Sequence, residues 1–176
     1  VYRESFEMHT MSQILLLRAV LPAMREAGWG RFAHIGSATA KEPAGNIHHA
    51  VANTSRPSTI GLLKTVSDEY AQYGISVNTV APGWIASSGM DTYDGAMKAL
   101  IPTLKRHVPV QRLALEAEVS AGIVFLLSPA AAFITGVTLQ IDGGASIASP
   151  LWPRGSHDRS VAFDGFHRAV LPEVLK

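Results

Sequence analysis

The sequence of 176 residues lacks cysteine altogether and has almost no excess of either charge. Without cysteine it can form neither disulfide bonds nor thiolate metal sites, which suits a reducing, cytoplasmic setting. We also predict no metal site. The 15 Lys and Arg residues nearly balance the 14 Asp and Glu residues. This balance argues against a nucleic-acid partner, which requires clustered positive charge. No apolar run approaches the roughly 18 residues of a membrane-spanning helix, and we expect no membrane partner.

A glycine-rich loop after a first strand, which would bind phosphate groups, is also missing. The chain begins Val1-Tyr2-Arg3-Glu4, with neither an initiator Met nor a signal-peptide pattern. Residues 32–87 nevertheless follow the order strand, helix, strand, which is typical of parallel strands joined by a helical crossover. We therefore predict a nucleotide-type α/β domain that is truncated at its N-terminus and has an unpaired sheet edge.

Hydrophobic residues make up 47% of the sequence, enough for one domain with a core. Their spacing predicts helices over 2–27, 57–73 and 116–127, and strands over 31–38, 75–81 and 137–141. We place the start of the second helix near Pro57, capped by Ser55 or Thr54, because an interior proline costs about 3 kcal/mol. Leu15 and Leu16 make the first helix apolar nearly all round, which predicts burial on two sides, one of them a subunit contact.

Two further segments stand outside these elements. Residues from Ser88 to about Ala114 contain Gly, Met and Pro, and such excursions often form mobile lids over a site. Residues 145–176 continue after the last predicted strand. We expect a domain over 1–144 and a C-terminal extension of unknown role over 145–176.

The ordered motifs of this chain resemble those of the short-chain dehydrogenase/reductase family. They are Leu21-Pro22-Ala23-Met24, Gly28-Trp29-Gly30-Arg31-Phe32, Ile35-Gly36-Ser37, Gly61-Leu62, Glu69, Gly74 through Gly83, Ile134-Thr135-Gly136 and Asp142-Gly143-Gly144. The resemblance covers residues 2–144, the C-terminal two-thirds of such a domain. It implies a Rossmann-like doubly wound parallel sheet and hydride transfer between NAD or NADP and a carbonyl or alcohol carbon.

The resemblance also implies a catalytic set of Ser, Tyr, Lys and Asn, of which this chain keeps one residue. Ser37 occupies the Ser position, which binds the substrate oxygen. The Tyr position falls on Ala52, the Lys position on Arg56 and the Asn position on His9. A Tyr near pKa 10 needs an adjacent cation to act as a base at neutral pH. Arg56 can hold ribose or phosphate, but it cannot replace a phenol that exchanges a proton.

Counting from Ser37 instead of from Gly61 would move the Tyr and Lys positions to Ala50 and Thr54. Neither count recovers the pair. His48 and His49 are candidates for a substitute acid, because His titrates near neutrality, although adjacent loop histidines are usually only solvated. His9 and His34 are expected to pack or to form hydrogen bonds rather than to relay protons.

The turn Pro82-Gly83-Trp84-Ile85-Ala86-Ser87 is the second candidate site segment. By resemblance, its backbone contacts the nicotinamide carboxamide, and the Ser87 hydroxyl hydrogen-bonds the same group. We therefore predict cofactor contacts at Pro82, Gly83, Ile85, Ser87 and Arg56. The blander alternatives are an ordinary turn after a strand, a Ser37 that only satisfies backbone groups, and an Arg56 that is a surface charge.

The sequence thus favours an NAD(P)-dependent oxidoreductase acting on a small carbonyl or alcohol and forming a homo-oligomer, a dimer or tetramer by resemblance. Without a glycine-rich loop, we expect this polypeptide alone to bind NAD(P) weakly and to be weak or inactive as a catalyst. The alternatives are a catalytically dead member that serves oligomer assembly, and a module that binds a nucleotide or acyl ligand without redox chemistry.

Overall fold

The computed structural model describes residues 2–38, 50–148, 155–163, 165 and 172–175. The chain divides into two compact units: the first is Val1–Ala81 with Ile123–Gln140, the second Pro82–Gly122 with Ile141–Lys176. The helices are α1 (Tyr2–Phe6), α2 (Ser12–Ala27), α3 (Ala50–Ala71), α4 (Gly95–Leu100) and α5 (Glu116–Leu127). The strands are β1 (Gly30–Ile35), β2 (Ile75–Pro82), β3 (Ile85–Ala86), β4 (Ala114–Leu115) and β5 (Thr138–Ile141). Among the described helices, none combines the length and apolar character needed to cross a bilayer.

The first predicted helix is present but contains a change of helical type. A π-helical turn over Glu7–Met11 joins α1 to α2. A π turn holds one residue more than an α turn, and such turns are found mostly as short insertions in α-helices. α2 ends at Ala27, and Gly28 follows it with a left-handed φ of 63°, the conformation typical of a glycine that terminates a helix.

The three-stranded sheet has the order β1-β2-β5. β1 and β2 are parallel, with Gly30 opposite Ile75 and Ile35 opposite Val80. The Gly136 amide donates to the Val77 carbonyl, and the Thr79 amide donates to the Val137 carbonyl. The residue numbers of the partners rise together on the two segments, so β5 is parallel to β2. The predicted parallel α/β sheet is therefore confirmed.

The core of the first unit lies where α2 and α3 meet the sheet. Five buried apolar side chains form it: Leu17, Leu21, Leu63, Ile75 and Val77. None of them is more than 6% exposed. Leu17 and Leu21 lie one turn apart on α2. β2 is buried on both faces, as expected of a central parallel strand.

The predicted start of the second helix is wrong. α3 begins at Ala50, and Pro57 lies inside it. Thr54 and Ser55 do not cap the helix, because their hydroxyls donate to carbonyls one turn back, Thr54 to Val51 at 2.9 Å and Ser55 to Val51 at 3.0 Å. Tertiary contacts of the turns on either side of the proline outweigh the loss of one helical hydrogen bond.

Those contacts are hydrogen bonds between hydroxyl groups of the first helix and α3. The Thr10 hydroxyl lies 2.7 Å from Ser58 Oγ and 3.1 Å from Thr59 Oγ1, and donates to the Ser55 carbonyl at 3.0 Å. Ser5 Oγ lies 3.0 Å from Ser55 Oγ. Thr10, Ser55 and Thr59 are at most 5% exposed. We call Ser5, Thr10, Ser55, Ser58 and Thr59 the hydroxyl cluster.

Leu15 and Leu16 face away from the core of this single chain. They are 58% and 48% exposed, so burial on two sides is not achieved by the chain itself. The predicted subunit contact remains a prediction.

The second unit contains the residues predicted to form a lid. They fold as a 3-10 helix over Ser88–Thr92, then α4, then a second 3-10 helix over Ile101–His107. Met90, Ile101 and Leu104 form an apolar cluster beneath them. β3 and β4 form a parallel pair with Ile85 opposite Ala114. α5 has the bounds that its sequence predicts.

Candidate functional site

Ser37 follows directly on the end of β1. The strand ends at Ile35, and the Gly36 amide still donates to the Val80 carbonyl at 2.8 Å. Ser37 is therefore held at the carboxyl edge of two parallel strands, where ligands of α/β proteins usually bind. Its side chain is half-buried.

Beneath this edge lies a group of imidazoles beside a guanidinium. His34 is 8% exposed, and its Nδ1 has no hydrogen-bond partner in the part of the chain that the structure describes. Burial lowers the pKa of His34 most, and the charges of His9 and Arg56 lower it further. The pKa of His9 is lowered by burial and then by Arg56. Both imidazoles are therefore neutral at neutral pH.

α3 positions Arg56 and the residue at the predicted Tyr position on one helical face. Ala52 and Arg56 are four residues apart, a spacing that places their side chains one turn apart. Both are half-buried. Between them, Asn53 has a buried Oδ1 without a hydrogen-bond partner among the described residues. Ala52 offers no O–H group, so this face of α3 can bind through Arg56 and Asn53 but has no phenol.

His9, at the predicted Asn position, lies in the π turn. Its carbonyl accepts a hydrogen bond of 2.8 Å from the Thr59 hydroxyl, so the hydroxyl cluster fixes the backbone of that turn. The expectation that His34 packs in the interior is met. The expected hydrogen bond to His34 is not made at Nδ1.

In the second unit, Gly83 lies against the end of the last strand. Its amide donates to the Ile141 carbonyl at 3.0 Å. A Cβ built at this glycine would lie 2.8 Å from Asp142 Cβ, closer than real side chains approach. Position 83 therefore requires glycine. This contact fixes the path of the turn that starts at Pro82.

Asp142 caps the turn that follows the same strand. Its carboxylate accepts hydrogen bonds from the amides of Gly144 at 2.9 Å and Ser146 at 3.0 Å. Burial on its own would raise the pKa of Asp142, but the hydrogen bonds from Ser146 and Gly144 outweigh it and the pKa is lowered. The Asp-Gly-Gly motif thus has a structural role here.

Ile85 and Ser87 continue from the Gly83 turn. Ile85 lies in β3, and Ser87 is extended, with φ −132° and ψ 159°. The Ser87 hydroxyl does not cap the 3-10 helix that begins at the next residue, although its carbonyl accepts from the Met90 amide at 2.9 Å. The half-buried Ser87 hydroxyl therefore has no capping role in this 3-10 helix.

The six predicted site residues divide between the units. Ser37 and Arg56 belong to the first unit, and Pro82, Gly83, Ile85 and Ser87 belong to the second. The alternative acids His48 and His49 lie outside the described residues. Among the residues that are described, no group of three His, Asp or Glu side chains is arranged to hold a metal ion.

Residues 1–146 match a family profile described as enoyl-(acyl carrier protein) reductase. The chain belongs to the short-chain dehydrogenase/reductase family. A 3-oxoacyl-[acyl-carrier-protein] reductase of Vibrio harveyi is 38% identical over 128 residues, 72% of this chain and 50% of that protein. An acetoacetyl-CoA reductase of Acinetobacter is 35% identical over 126 residues, 71% of this chain and 48% of that protein.

Structural comparison agrees with this assignment of a Rossmann-type fold. The TT0495 protein of Thermus thermophilus superposes with a TM-score of 0.73 at 28% identity, covering 82% of this chain and 60% of that chain. This chain spans about half the length of the curated relatives it matches.

Each unit offers groups of the kinds that bind a nicotinamide cofactor. In the first unit these are the Arg56 guanidinium and the Ser37 hydroxyl, and in the second they are the Ser87 hydroxyl and the backbone of the Pro82–Ser87 turn. Within the described residues, no glycine-rich turn between a strand and a helix is present to bind a pyrophosphate.

Sequence reasoning missed the hydroxyl cluster and the buried acceptor of Asn53. A signal for the first was present: Ser55, Ser58 and Thr59 have the three- and four-residue spacing of one helical face. Apolar periodicity does not register such residues. The position of His34 beside His9 and Arg56 had no local signal, because it depends on three separate elements.

Proposed function

We propose that this chain carries the substrate- and nicotinamide-binding side of an NAD(P)-dependent oxidoreductase that transfers hydride between the cofactor and a carbonyl or alcohol carbon. The observation that carries the proposal is Ser37 at the carboxyl edge of β1, in a chain whose residues 1–146 match a reductase family. The activities for which these relatives are named suggest acyl thioesters with a ketone group as the first substrates to test.

Each site residue has a distinct task in this proposal. The Ser37 hydroxyl donates a hydrogen bond to the substrate oxygen. Arg56 holds the ribose and adjacent phosphate, since a guanidinium stays charged and offers several donors. The turn from Pro82 through Gly83 and Ile85 to Ser87 presents backbone groups and one hydroxyl to the carboxamide. When bound, the nicotinamide supplies or accepts the hydride.

The step that the described residues support least is proton transfer to the substrate oxygen. Ala52 cannot donate a proton, and the neutral imidazole of His34 is buried. A positioned acid–base group contributes about 10²–10⁴-fold to a rate. We therefore propose weak or no turnover for this polypeptide alone.

Restoring the phenol tests the proposal most directly. We expect Ala52→Tyr combined with Arg56→Lys to raise the rate of ketone reduction by about 10²–10⁴-fold. The rate is measured as loss of NADPH absorbance with acetoacetyl-CoA. The matched control is Ala52→Phe with Arg56→Lys, which adds the same ring without the hydroxyl. Equal rates for the two double variants would count against a reductase site at this position.

Cofactor binding is tested separately on the unmodified chain. We expect NADPH to bind weakly, with saturation transferred from the protein to the nicotinamide protons in an NMR difference spectrum. Arg56→Ala should abolish that transfer, and Arg18→Ala, which alters an exposed arginine of α2, should leave it unchanged. Low-micromolar affinity by isothermal titration would contradict weak binding, and no transfer at all would contradict the nicotinamide site.

A second candidate is a member without redox chemistry that binds a nucleotide or acyl ligand or serves oligomer assembly. The pairing of Ala52 with Arg56 favours it, because this pair retains a binding group and lacks a proton donor. Ligand-induced thermal stabilisation in a protein without turnover, unaltered by the Ala52→Tyr double variant, would distinguish it. For both candidates we propose a cytoplasmic homo-oligomer, with residues 1–144 as the domain and 145–176 as an extension.

A further inference from the structure

The C-terminal extension contacts the Ser88–His107 segment of the second unit at its last described residues. We call Pro172–Leu175 the tail. Pro172 is fully buried, and Val174 and Leu175 pack against the cluster formed by Met90, Ile101 and Leu104. Those three are the only buried residues between Ser88 and His107. Trp84 and Leu113 pack against the same cluster, so the tail covers part of the apolar anchor of that segment.

A polar contact fixes the direction of the tail. The two carboxylate oxygens of Asp91 accept hydrogen bonds from the amides of Glu173 at 3.3 Å and Val174 at 3.4 Å. These amides lie at the start of the 3-10 turn Glu173–Leu175, where backbone donors lack partners within the helix. Asp91 thus binds the tail through the groups that most need an acceptor.

A second part of the extension is fastened to Arg112. Residues 155–163, here called the strap, place Ser160 Oγ 2.9 Å from Arg112 Nε and the Val161 carbonyl 3.2 Å from Nη2. The other Arg112 contacts are the Leu113 carbonyl at 3.2 Å and the Glu118 carboxylate at 2.7 and 2.6 Å. All five N–H groups of the guanidinium are therefore engaged.

The arrangement around Glu118 is equally complete. Burial alone would raise the pKa of Glu118, but hydrogen bonds from Arg112, Leu115 and Phe163 outweigh it, and the pKa is lowered. The carboxylate is thus ionised at neutral pH and neutralises Arg112. The strap is held by a fixed ion pair and not by a mobile surface charge.

A cavity of about 490 Å³ between the strap and Lys105 has the composition of an anion site, with Arg112 and His157 in its lining. Its contacts argue otherwise. Arg112 has no donor left, and the His157 Nε2 donates to the Pro109 carbonyl at 3.0 Å. The Arg112 guanidinium and the His157 imidazole therefore hold the extension in place and are not available to bind an anion.

We propose that the C-terminal extension is an intramolecular latch, in which the tail on Asp91 and the strap on Arg112 hold the Ser88–Leu115 segment closed. While the tail is seated, the segment cannot move away from it without exposing the part of this cluster that Val174 and Leu175 cover. Release of the tail frees the segment to open. The latch therefore sets how often this segment opens.

Hydrogen–deuterium exchange on the full chain tests the latch without substrate or cofactor. We expect Asp91→Ala and Leu175→Ser each to speed amide exchange in peptides from residues 88–107 by about tenfold, because local opening no longer requires displacing the tail. Asp94→Ala is the matched control. It removes an exposed carboxylate from the same segment, one that does not cap α4.

Peptides from β2 serve as the internal reference for global stability. Faster exchange confined to residues 88–107 supports the latch. Unchanged exchange in both variants, or an equal increase in β2, overturns it, since the tail would then be either unattached or a general stabiliser. Because no turnover is measured, this result is independent of whether the chain reduces a carbonyl.

Discussion

The first helix meets α3 in two chemically different ways along its length. At the N-terminal end, the hydroxyl cluster joins the two helices through Thr10 and Ser55. At the C-terminal end, Leu17, Leu21 and Leu63 pack in an apolar cluster on the sheet. The hydroxyl end includes Thr10 and Ser55, the sequence neighbours of His9 and Arg56.

This difference indicates why the contact changes character. Hydroxyl groups are small, so two helices can approach closely, and each bond fixes a direction as well as a distance. Aliphatic packing supplies more free energy but specifies position less sharply. Directional hydrogen bonds join the helices at the end that positions Arg56 and the His9 carbonyl. Apolar side-chain packing joins them at the end that only stabilises the fold.

The largest effect should come from breaking the apolar end. Leu63→Ala removes a side chain that is 2% exposed and should reduce the free energy of unfolding by about 2–5 kcal/mol. Urea denaturation followed by circular dichroism measures it. Leu15→Ala, at an exposed position of α2, is the control. A loss as small as that of the control would show that the cluster does not carry the stability of the first unit.

The hydroxyl end should respond more weakly. Thr10→Val keeps the shape of the side chain but removes its hydrogen bonds to Ser55, Ser58 and Thr59. The expected loss is about 1–3 kcal/mol, the cost of leaving buried polar groups unpaired. Thr65→Val is the matched control, since that exposed hydroxyl donates only to the carbonyl one turn back. Equal effects of the two variants would contradict the proposed importance of the cluster.

The buried imidazole of His34 in β1 should make the stability of the first unit sensitive to acid. The pKa of His34 in the folded chain is lowered from 6.5, first by burial and then by His9 and Arg56. The unfolded chain therefore binds the proton more readily. Stability is complete above the unfolded value and falls as the pH drops through it toward the folded pKa.

His34→Asn removes this titrating group from β1. We expect the acid-induced fall in Tm across that pH window to be smaller in the variant than in the parent. The change in stability caused by this variant should be smaller than the change caused by Thr10→Val. Melting curves recorded at a series of pH values measure the difference. Parallel Tm profiles for the two proteins would show that His34 does not contribute.

The smallest effect on folding should come from the outer side of α2. Leu15 is 58% exposed, so Leu15→Ser should change the free energy of unfolding of a single chain by no more than about 0.5 kcal/mol. If this side forms the predicted subunit contact, sedimentation velocity will show a lower association state. An unchanged sedimentation coefficient would make the subunit prediction wrong.

Local pattern predicted the sheet and most helices because burial there follows a simple period. The bounds of α5 and the start of β2 at Ile75 needed no information beyond their own residues. α3 could not be bounded this way, since the rule against interior proline is local and the contacts of Ser55 and Thr59 are not. The outward side of Leu15 and Leu16 likewise depends on which neighbours the chain provides.

The candidate site shows the same division. The family resemblance pointed to Ser37, Arg56 and the Gly83 turn as site residues, which stays a prediction, and the structure places Ser37 and the turn at strand ends. The electrostatic coupling of His34 to His9 and Arg56 joins β1, the π turn and α3, so no single segment reveals it. The tail on Asp91 was equally invisible, because it joins residues more than 80 positions apart.

The π turn has a consequence for the phase of the first helix. Ser5 and Thr10 are five residues apart, yet both contact Ser55, a spacing that an uninterrupted α-helix would rotate by about 140°. Deleting one residue within Glu7–Met11, such as the exposed Met8, would restore ordinary winding and bring the remaining pair to a four-residue spacing. One residue can therefore be removed at the π turn while Ser5 and Thr10 stay on the side of the helix that faces α3.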